Sequence, residues 1–172
     1  VMADSPFKSW GQLVDHAKKN PGKLKFAHSG LWGAVHSPAL QLFTEAGIAD
    51  KIKMVSYKGG GPALRGFLAR ECDFTAQFKS TIKAQGKNVR VLISAGTQTA
   101  FKGAPTFKEL GYTADIGLMH RVIMAPRGIP ADRLAKLRGA LKKMQGFKTY
   151  KKLIKAIGEI TDYVDGPEYE KQ

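Results

Sequence analysis

The stretch KFAHSGLWGAVHSPAL, residues 25–40, joins the end of a strand to the beginning of a helix. Phe26 and Ala27 are typical of a buried strand, whereas the apolar residues at the end of the stretch continue at helical spacing. The loop between them contains two glycines, Gly30 and Gly33, together with two serines and two histidines. A strand followed by a loop and a helix is the repeating unit of α/β proteins.

The same alternation continues along the chain. KIKMVSY (51–57) alternates as a strand does, and KGGGPAL (58–64) is a second glycine-rich turn that leads into a helix. Ser9 and Gln12 have the spacing of a capping box before the first helix. We predict strands at 24–28, 51–57, 73–77, 89–95 and near 159–164, helices at 9–20, 34–46, from Pro62, at 79–85, 104–112, from Pro130, at about 147–157 and from Gly166, and an extended segment at 114–125. This order predicts an α/β fold with a mainly parallel sheet and flanking helices.

Length and composition fit one domain or a domain with an appendage, since the 172 residues are 43% apolar. No run of apolar residues is long enough for a transmembrane helix, and no signal peptide is visible. We interpret the chain as a mature product or as a piece of a longer protein.

The single cysteine, Cys72, excludes an internal disulfide and is predicted to be a buried, inert thiol.

The net charge of +14 is large for this length. Lysines flank the first helix and crowd the C-terminal helices, but few aromatic residues are interleaved with them and no nucleic-acid motif is present. We therefore interpret the charge as solvated helix faces. A polyanionic partner such as nucleic acid stays an alternative.

The glycine-rich loops are the candidate binding elements. In a parallel sheet each strand leads to a helix N-terminus, where unpaired N–H groups and the positive end of the helix dipole attract anions. In the first loop the hydroxyl of Ser29 and the amides of Gly33, Ala34 and Val35 are candidate donors. The pattern matches no phosphate-binding fingerprint, so a small anion or carboxylate fits better. The alternative is that the glycines only make tight turns.

Catalysis is not predicted. His28 and His36 bracket the first loop, but no Asp or Glu lies within the loop to orient either imidazole. The sequence has no HExxH or GxSxG motif and no carboxylate pair, so we expect no enzymatic activity, no metal and no cofactor.

Several longer segments resemble a known family in order and spacing. SPFKSWGQLVDHAKKNPGKLKFAHSG, YKGGGPAL and APRGIPADRLAKLRGAL are similar to the Bug family, the periplasmic receptors of tripartite tricarboxylate transporters. The resemblance implies a periplasmic-binding-protein (type II-like) fold with two α/β lobes and a carboxylate in the cleft between them. It also implies an extracytoplasmic location, no catalysis, and delivery of the ligand to the membrane subunits of a transporter.

The resemblance covers only part of such a receptor. Residues 5–120 resemble its second lobe, and residues 121–172 resemble a return strand and C-terminal helices that would normally pack on the first lobe. The exposed face then offers an alternative role, as an interaction module that forms a homodimer.

The resemblance also assigns candidate ligand-binding residues. They are Ser29, Gly30, Trp32, Gly33, Ala34 and His36 in the first loop, Tyr57, Lys58 and Gly59 in the second, Gln77 and Lys79 after the third strand, and Arg121 in the return strand. Leu31 and Trp32 depart from the small hydroxyl residues that the family often has, and Lys79 adds a cation. These departures imply either an altered ligand, such as an aromatic acid, or a site that has decayed.

Overall fold

The computed structural model describes residues 1–95, 101–113, 122–156 and 163–169. It divides into two compact units, Val1–Met119 and His120–Gln172. The first unit contains the elements α1 (Trp10–Lys19), β1 (Leu24–His28), α2 (His36–Glu45), β2 (Ile52–Ser56), α3 (Gly60–Leu68), β3 (Phe74–Thr75) and α4 (Lys79–Gln85). The second contains α5 (Ala131–Met144), α6 (Lys148–Ala156) and α7 (Gly166–Tyr169).

A parallel sheet forms the centre of the first unit. Its strand order is β2-β1-β3, and both neighbours run parallel to β1. The register pairs His28 with Ser56 and Ala27 with Thr75, so the three strands end at the same edge. The predicted α/β fold with a parallel sheet is confirmed.

The central strand β1 is covered on both faces. Phe26 packs on one face, with ring centroids 5.1 Å from those of Phe43 and Phe74, in a core that also includes α1. Ala27 packs on the other face with Phe67 of α3. Cys72 is buried in this second cluster, as predicted. A strand buried on both faces is held rigidly, which matters for the loop that follows it.

Helix α1 begins with a variant of the predicted capping box. The Ser9 hydroxyl accepts a hydrogen bond from Gln12 N at 3.3 Å. The Gln12 side chain reaches one residue further back than the standard box and accepts from Lys8 N at 2.7 Å. Both polar groups thus define the helix start.

Two predicted elements in the first unit are wrong in kind. Residues 89–95 form single bridges, Met2 with Val89 and Ser94 with Thr106, and not a strand of the sheet. The Arg90 guanidinium instead donates to carbonyls of the N-terminal segment, including that of Ala3 at 2.7 Å. The helix predicted at 104–112 is a single 3₁₀ turn, Lys108–Leu110.

The second unit consists of amphipathic helices. None of its described residues, 122–156 and 163–169, is buried. Its large exposed apolar side chains are Val122, Ile123, Met124, Leu137, Phe147 and Leu153. Most of the predicted strand near 159–164 and most of the extended segment 114–125 fall outside the described residues. Among the helices described, none has the length and apolar character needed to cross a membrane.

Candidate functional site

Three loops follow the ends of the parallel strands. They are the first loop (29–35) after β1, the second loop (57–59) after β2, and the third loop (76–78) after β3. The Tyr57 amide donates to His28 O at 2.9 Å, and the Thr75 hydroxyl donates to Ala27 O at 2.8 Å. The structure therefore brings the predicted loops to one edge of the sheet, where α/β proteins bind ligands.

The first loop leaves backbone donors unused. The amides of His36 and Ser37 donate to Gly33 O at 3.0 and 3.1 Å. The amides of residues 33–35 form no hydrogen bond with any described residue. Helix α2 has no side-chain cap that would occupy these N–H groups. They lie just before its first turn, at the positive end of its dipole.

Glycine is required at Gly30 and is favoured at Gly33. Gly30 has a φ of 126°, which residues with a side chain rarely adopt. A Cβ at Gly33 would lie 3.4 Å from Gly30 O and 3.8 Å from the Ser29 hydroxyl. The loop is therefore folded closely on itself, with the half-buried Ser29 hydroxyl beside Gly33.

Two buried histidines support the loop from inside. His28 and His36 are 1% and 4% exposed, and their ring centroids are 4.4 Å apart. Nδ1 of His28 lies 3.0 Å from Gly30 O, a pure acceptor, so this nitrogen carries the hydrogen. Nδ1 of His36 accepts the Trp32 N–H at 3.2 Å and is therefore unprotonated.

The electrostatics of this pair favour neutral imidazole at position 36. Burial, followed by the proximity of His28, lowers the pKa of His36 from its ordinary value. The structure thus places His36 as a support that holds the loop through Trp32. The Nε2 atom of His28 is buried and has no partner among the described residues.

The second loop has a similar supply of free amides. Gly59 has a φ of 108° and begins α3 without a side-chain cap. Its own amide donates to Tyr57 O at 2.9 Å. The amides of Lys58, Gly60 and Gly61 form no hydrogen bond with any described residue. The exposed Lys58 side chain adds a positive charge beside them.

Sequence reasoning missed Arg65. Its guanidinium lies at the beginning of α3, with one nitrogen 3.6 Å from the position that a Cβ of Gly61 would occupy. Arg65 follows Gly61 by four residues on the same helix, and this spacing predicts that its side chain reaches the first turn of α3.

The Tyr57 phenol is engaged within the fold. Its hydroxyl donates to Glu71 Oε2 at 2.7 Å and lies 3.7 Å from Cys72 Sγ. The hydrogen bond to Glu71, with the contact to Cys72, raises the pKa of Tyr57. The ring lies against Gly66 of α3, where no Cβ would fit. The prediction that this phenol faces a ligand therefore competes with a structural role.

The third loop joins the second through Gln77. Its Nε2 donates to the Thr75 hydroxyl at 3.3 Å, and its Oε1 lies 3.9 Å from where a Cβ of Gly60 would be. Lys79 is half-buried as the first residue of α4. Arg121, the remaining predicted residue, lies outside the described residues.

The charge around the loops suits an anion. None of the three loops contains a carboxylate side chain, whereas Lys58, Arg65 and Lys79 are cationic. Across the described parts of the chain, no group of three His, Cys, Asp or Glu side chains is arranged to hold a metal ion.

Solved structures share this fold. The R. palustris protein Rpa4515, solved with adipate, matches 99% of this chain with a TM-score of 0.75 and 21% identity. The periplasmic binding protein BugD matches 91% of it with a TM-score of 0.70 and 22% identity. The chain covers 58% and 53% of these structures, respectively. The fold is thus that of periplasmic binding proteins.

Sequence comparison then identifies the family. The profile of the tripartite tricarboxylate transporter family receptor (TctC) matches residues 1–170. BugT of Bordetella pertussis is 30% identical over 122 residues, which span 67% of this chain and 36% of BugT. A UPF0065 protein of Cupriavidus necator, from the gbd 5′ region, is 28% identical over 98% of this chain and 52% of its own length. The chain belongs to the tripartite tricarboxylate transporter receptor family and spans about half the length of the C. necator protein.

Proposed function

We propose that this chain binds a small carboxylate as part of an extracytoplasmic receptor for a tripartite tricarboxylate-type transporter. The observation that carries the proposal is the pair of uncapped helices, α2 and α3, whose free amides lie at one edge of the sheet. Family membership supports the receptor role, and the adipate in the related R. palustris structure supports the carboxylate.

Binding at such a site needs hydrogen bonds and no covalent step. The carboxylate oxygens accept from the amides of Gly33, Ala34 and Val35 and from the Ser29 hydroxyl. Lys58 and Arg65 supply positive charge from the side of α3. Backbone amides do not titrate, so the donors keep their strength while the ligand stays ionised. We propose no catalytic role for these residues.

The two compact units fit the predicted division of a receptor. We propose that residues 5–120 form one ligand-binding lobe and that residues 121–172 pack on a further lobe. In the complete receptor that we propose, this further lobe would close the cleft, and the receptor would deliver the ligand to the membrane subunits. The chain's coverage of about half of a relative supports this division. Alone, the chain would then bind more weakly than a complete receptor.

Titration calorimetry and thermal shift with adipate, succinate, citrate and benzoate test the proposal, with sulfate as the control anion. Ala34→Pro removes one free amide at an exposed position, whereas Ala34→Val keeps it. Because hydrogen bonds to charged groups are strong, Ala34→Pro should weaken binding about tenfold and Ala34→Val much less. Circular dichroism checks that both variants fold. Absence of heat and of a melting shift with every acid would contradict the proposal.

A homodimer is a second candidate, favoured by the exposed apolar side chains of the second unit. Sedimentation equilibrium tests it directly, since a strict monomer at high protein concentration would rule it out.

A further inference from the structure

Trp32 is the most unusual residue of the first loop. Its backbone has a φ of 57°, a left-handed conformation that a bulky residue rarely adopts. Its side chain is 77% exposed, and the adjacent Leu31 is 67% exposed. The indole is thus not buried, so no burial of its apolar surface offsets the backbone strain at Trp32. Such an outlier is a reason to look for function.

The indole is nonetheless held in place. The Trp32 amide donates to Nδ1 of His36 at 3.2 Å, and the indole contacts the same imidazole edge-on, with centroids 5.8 Å apart and planes at 80°. His36 is itself buried at the first turn of α2. No other aromatic ring of the described residues stacks on the indole, so its faces are open to a ligand.

The position of Trp32 relates it to the free amides. Gly33, Ala34 and Val35 follow it directly, and their unpaired N–H groups begin at the next residue. A carboxylate held by these amides would bring the body of the molecule beside the indole. A planar aromatic body can stack there, and aromatic pairs gain more than the area that they bury.

We propose that Trp32 is a specificity-determining residue that selects aromatic carboxylates by stacking on their ring. The inference rests on the proposed function, because the amides must hold the carboxylate. Leu31 extends the apolar surface without contributing a ring. The ligand class is thus a planar aromatic acid and not a flexible aliphatic diacid.

The fluorescence of Trp32 can report on this contact. The chain has two tryptophans. Trp10 is 4% exposed and donates its indole N–H to the Tyr112 hydroxyl, whereas Trp32 faces solvent. Acrylamide quenching therefore reports mainly on Trp32. Saturating benzoate should protect the accessible tryptophan, and saturating succinate should protect it much less.

The decisive experiment compares benzoate with cyclohexanecarboxylate, which has the same carboxylate and a similar size but no aromatic ring. We expect the unaltered chain to bind benzoate about 3- to 10-fold more tightly, the range that aromatic pairing provides. Trp32→Ala should abolish the difference between benzoate and cyclohexanecarboxylate. Trp32→Phe should keep most of the preference for benzoate. Leu31→Ala is the matched control, which keeps the ring at position 32 and should keep the preference.

The outcomes separate this inference from its premise. Succinate binding with no preference for benzoate, or an equal loss of all acids in Trp32→Ala, overturns the role of Trp32 and leaves the carboxylate site intact. A lack of binding by every acid overturns both the site and the inference. Circular dichroism of Trp32→Ala and Trp32→Phe confirms that the comparison is made on folded protein.

Discussion

The two compact units of the chain differ in how they bury apolar side chains. The first unit contains all of the buried core that the described residues form, centred on Phe26 and Phe67. The second unit has helices of similar length, yet none of its described residues is buried. Amphipathic helices gain most of their stability from packing. The first unit therefore has a packed core of its own, whereas the described residues of the second unit form none.

This difference explains where the candidate site lies. Free amides bind an anion well only when the loops that carry them are held in place. The first and second loops follow strands of the packed sheet and are held by hydrogen bonds such as Tyr57 N to His28 O. The packed core of the first unit supplies that rigidity.

The sharpest test of the comparison makes one substitution in both units. Phe26→Ala removes a ring that is 1% exposed, and we expect a loss of about 3–5 kcal/mol in the free energy of unfolding. Phe147→Ala removes a ring that is 52% exposed and should cost less than about 0.5 kcal/mol. Urea denaturation followed by tryptophan fluorescence and by circular dichroism measures both losses. Equal losses would contradict the difference between the units.

Substitution of a glycine by alanine should change the free energy of unfolding in opposite directions in the two units. Gly66→Ala places a Cβ against the ring of Tyr57, so the ring must move away from Glu71. We expect a loss of about 1–3 kcal/mol, as in other overpacked sites. Gly139 is exposed in α5 with open space around it, and Gly139→Ala should stabilise that helix by about 0.5–1 kcal/mol.

Denaturant titration of both glycine variants checks the signs, and the double variant Gly66→Ala with Tyr57→Ala checks the cause. If the clash with Tyr57 is responsible, Gly66→Ala should cost much less when the ring is absent. An undiminished cost would show that Gly66 is needed for another reason.

The smallest expected effect is a pH dependence within the first loop. Burial lowers the pKa of His36 below its ordinary value of 6.5, so the unfolded chain binds more protons in the window just below pH 6.5. Stability should therefore fall as the pH drops through this window towards the folded pKa. Protonated Nδ1 can no longer accept the Trp32 N–H, which loosens the loop as well.

Urea titrations at pH 7.5 and pH 5.5 measure this contribution. The unaltered chain should lose more stability than His36→Gln, because the amide side chain can still accept from Trp32 but does not titrate in this range. The same pH dependence in both proteins would show that other groups cause it.

Some predictions from the sequence were confirmed because neighbouring residues in the chain determine the structure at these places. Strand β2 follows from the alternation in KIKMVSY, and the start of α1 follows from Ser9. Gly30 and Gly59 occur where the backbone adopts a positive φ. Each of these features depends on a few neighbouring residues.

Other predictions failed because their partners are distant in the chain. The alternation at 89–95 suits a strand, yet strand formation requires a neighbour with unpaired backbone groups. Residues 88–90 instead pair with the N-terminal segment, through Ala3 N to Asn88 O at 2.9 Å. The packing of the Tyr57 ring against α3 depends on the absence of a side chain at Gly66, which no local pattern marks.

The sequence by itself determined the α/β alternation, the two glycine-rich loops and the resemblance to a receptor family, because these depend on local composition and order. Only the tertiary structure decided that His28 and His36 support the loop and that Arg65 lies at the start of α3. It also decided that the phenol of Tyr57 bonds Glu71, while the indole of Trp32 stays exposed. Side-chain direction depends on which neighbours fill the space around it, and those neighbours come from other elements of the fold.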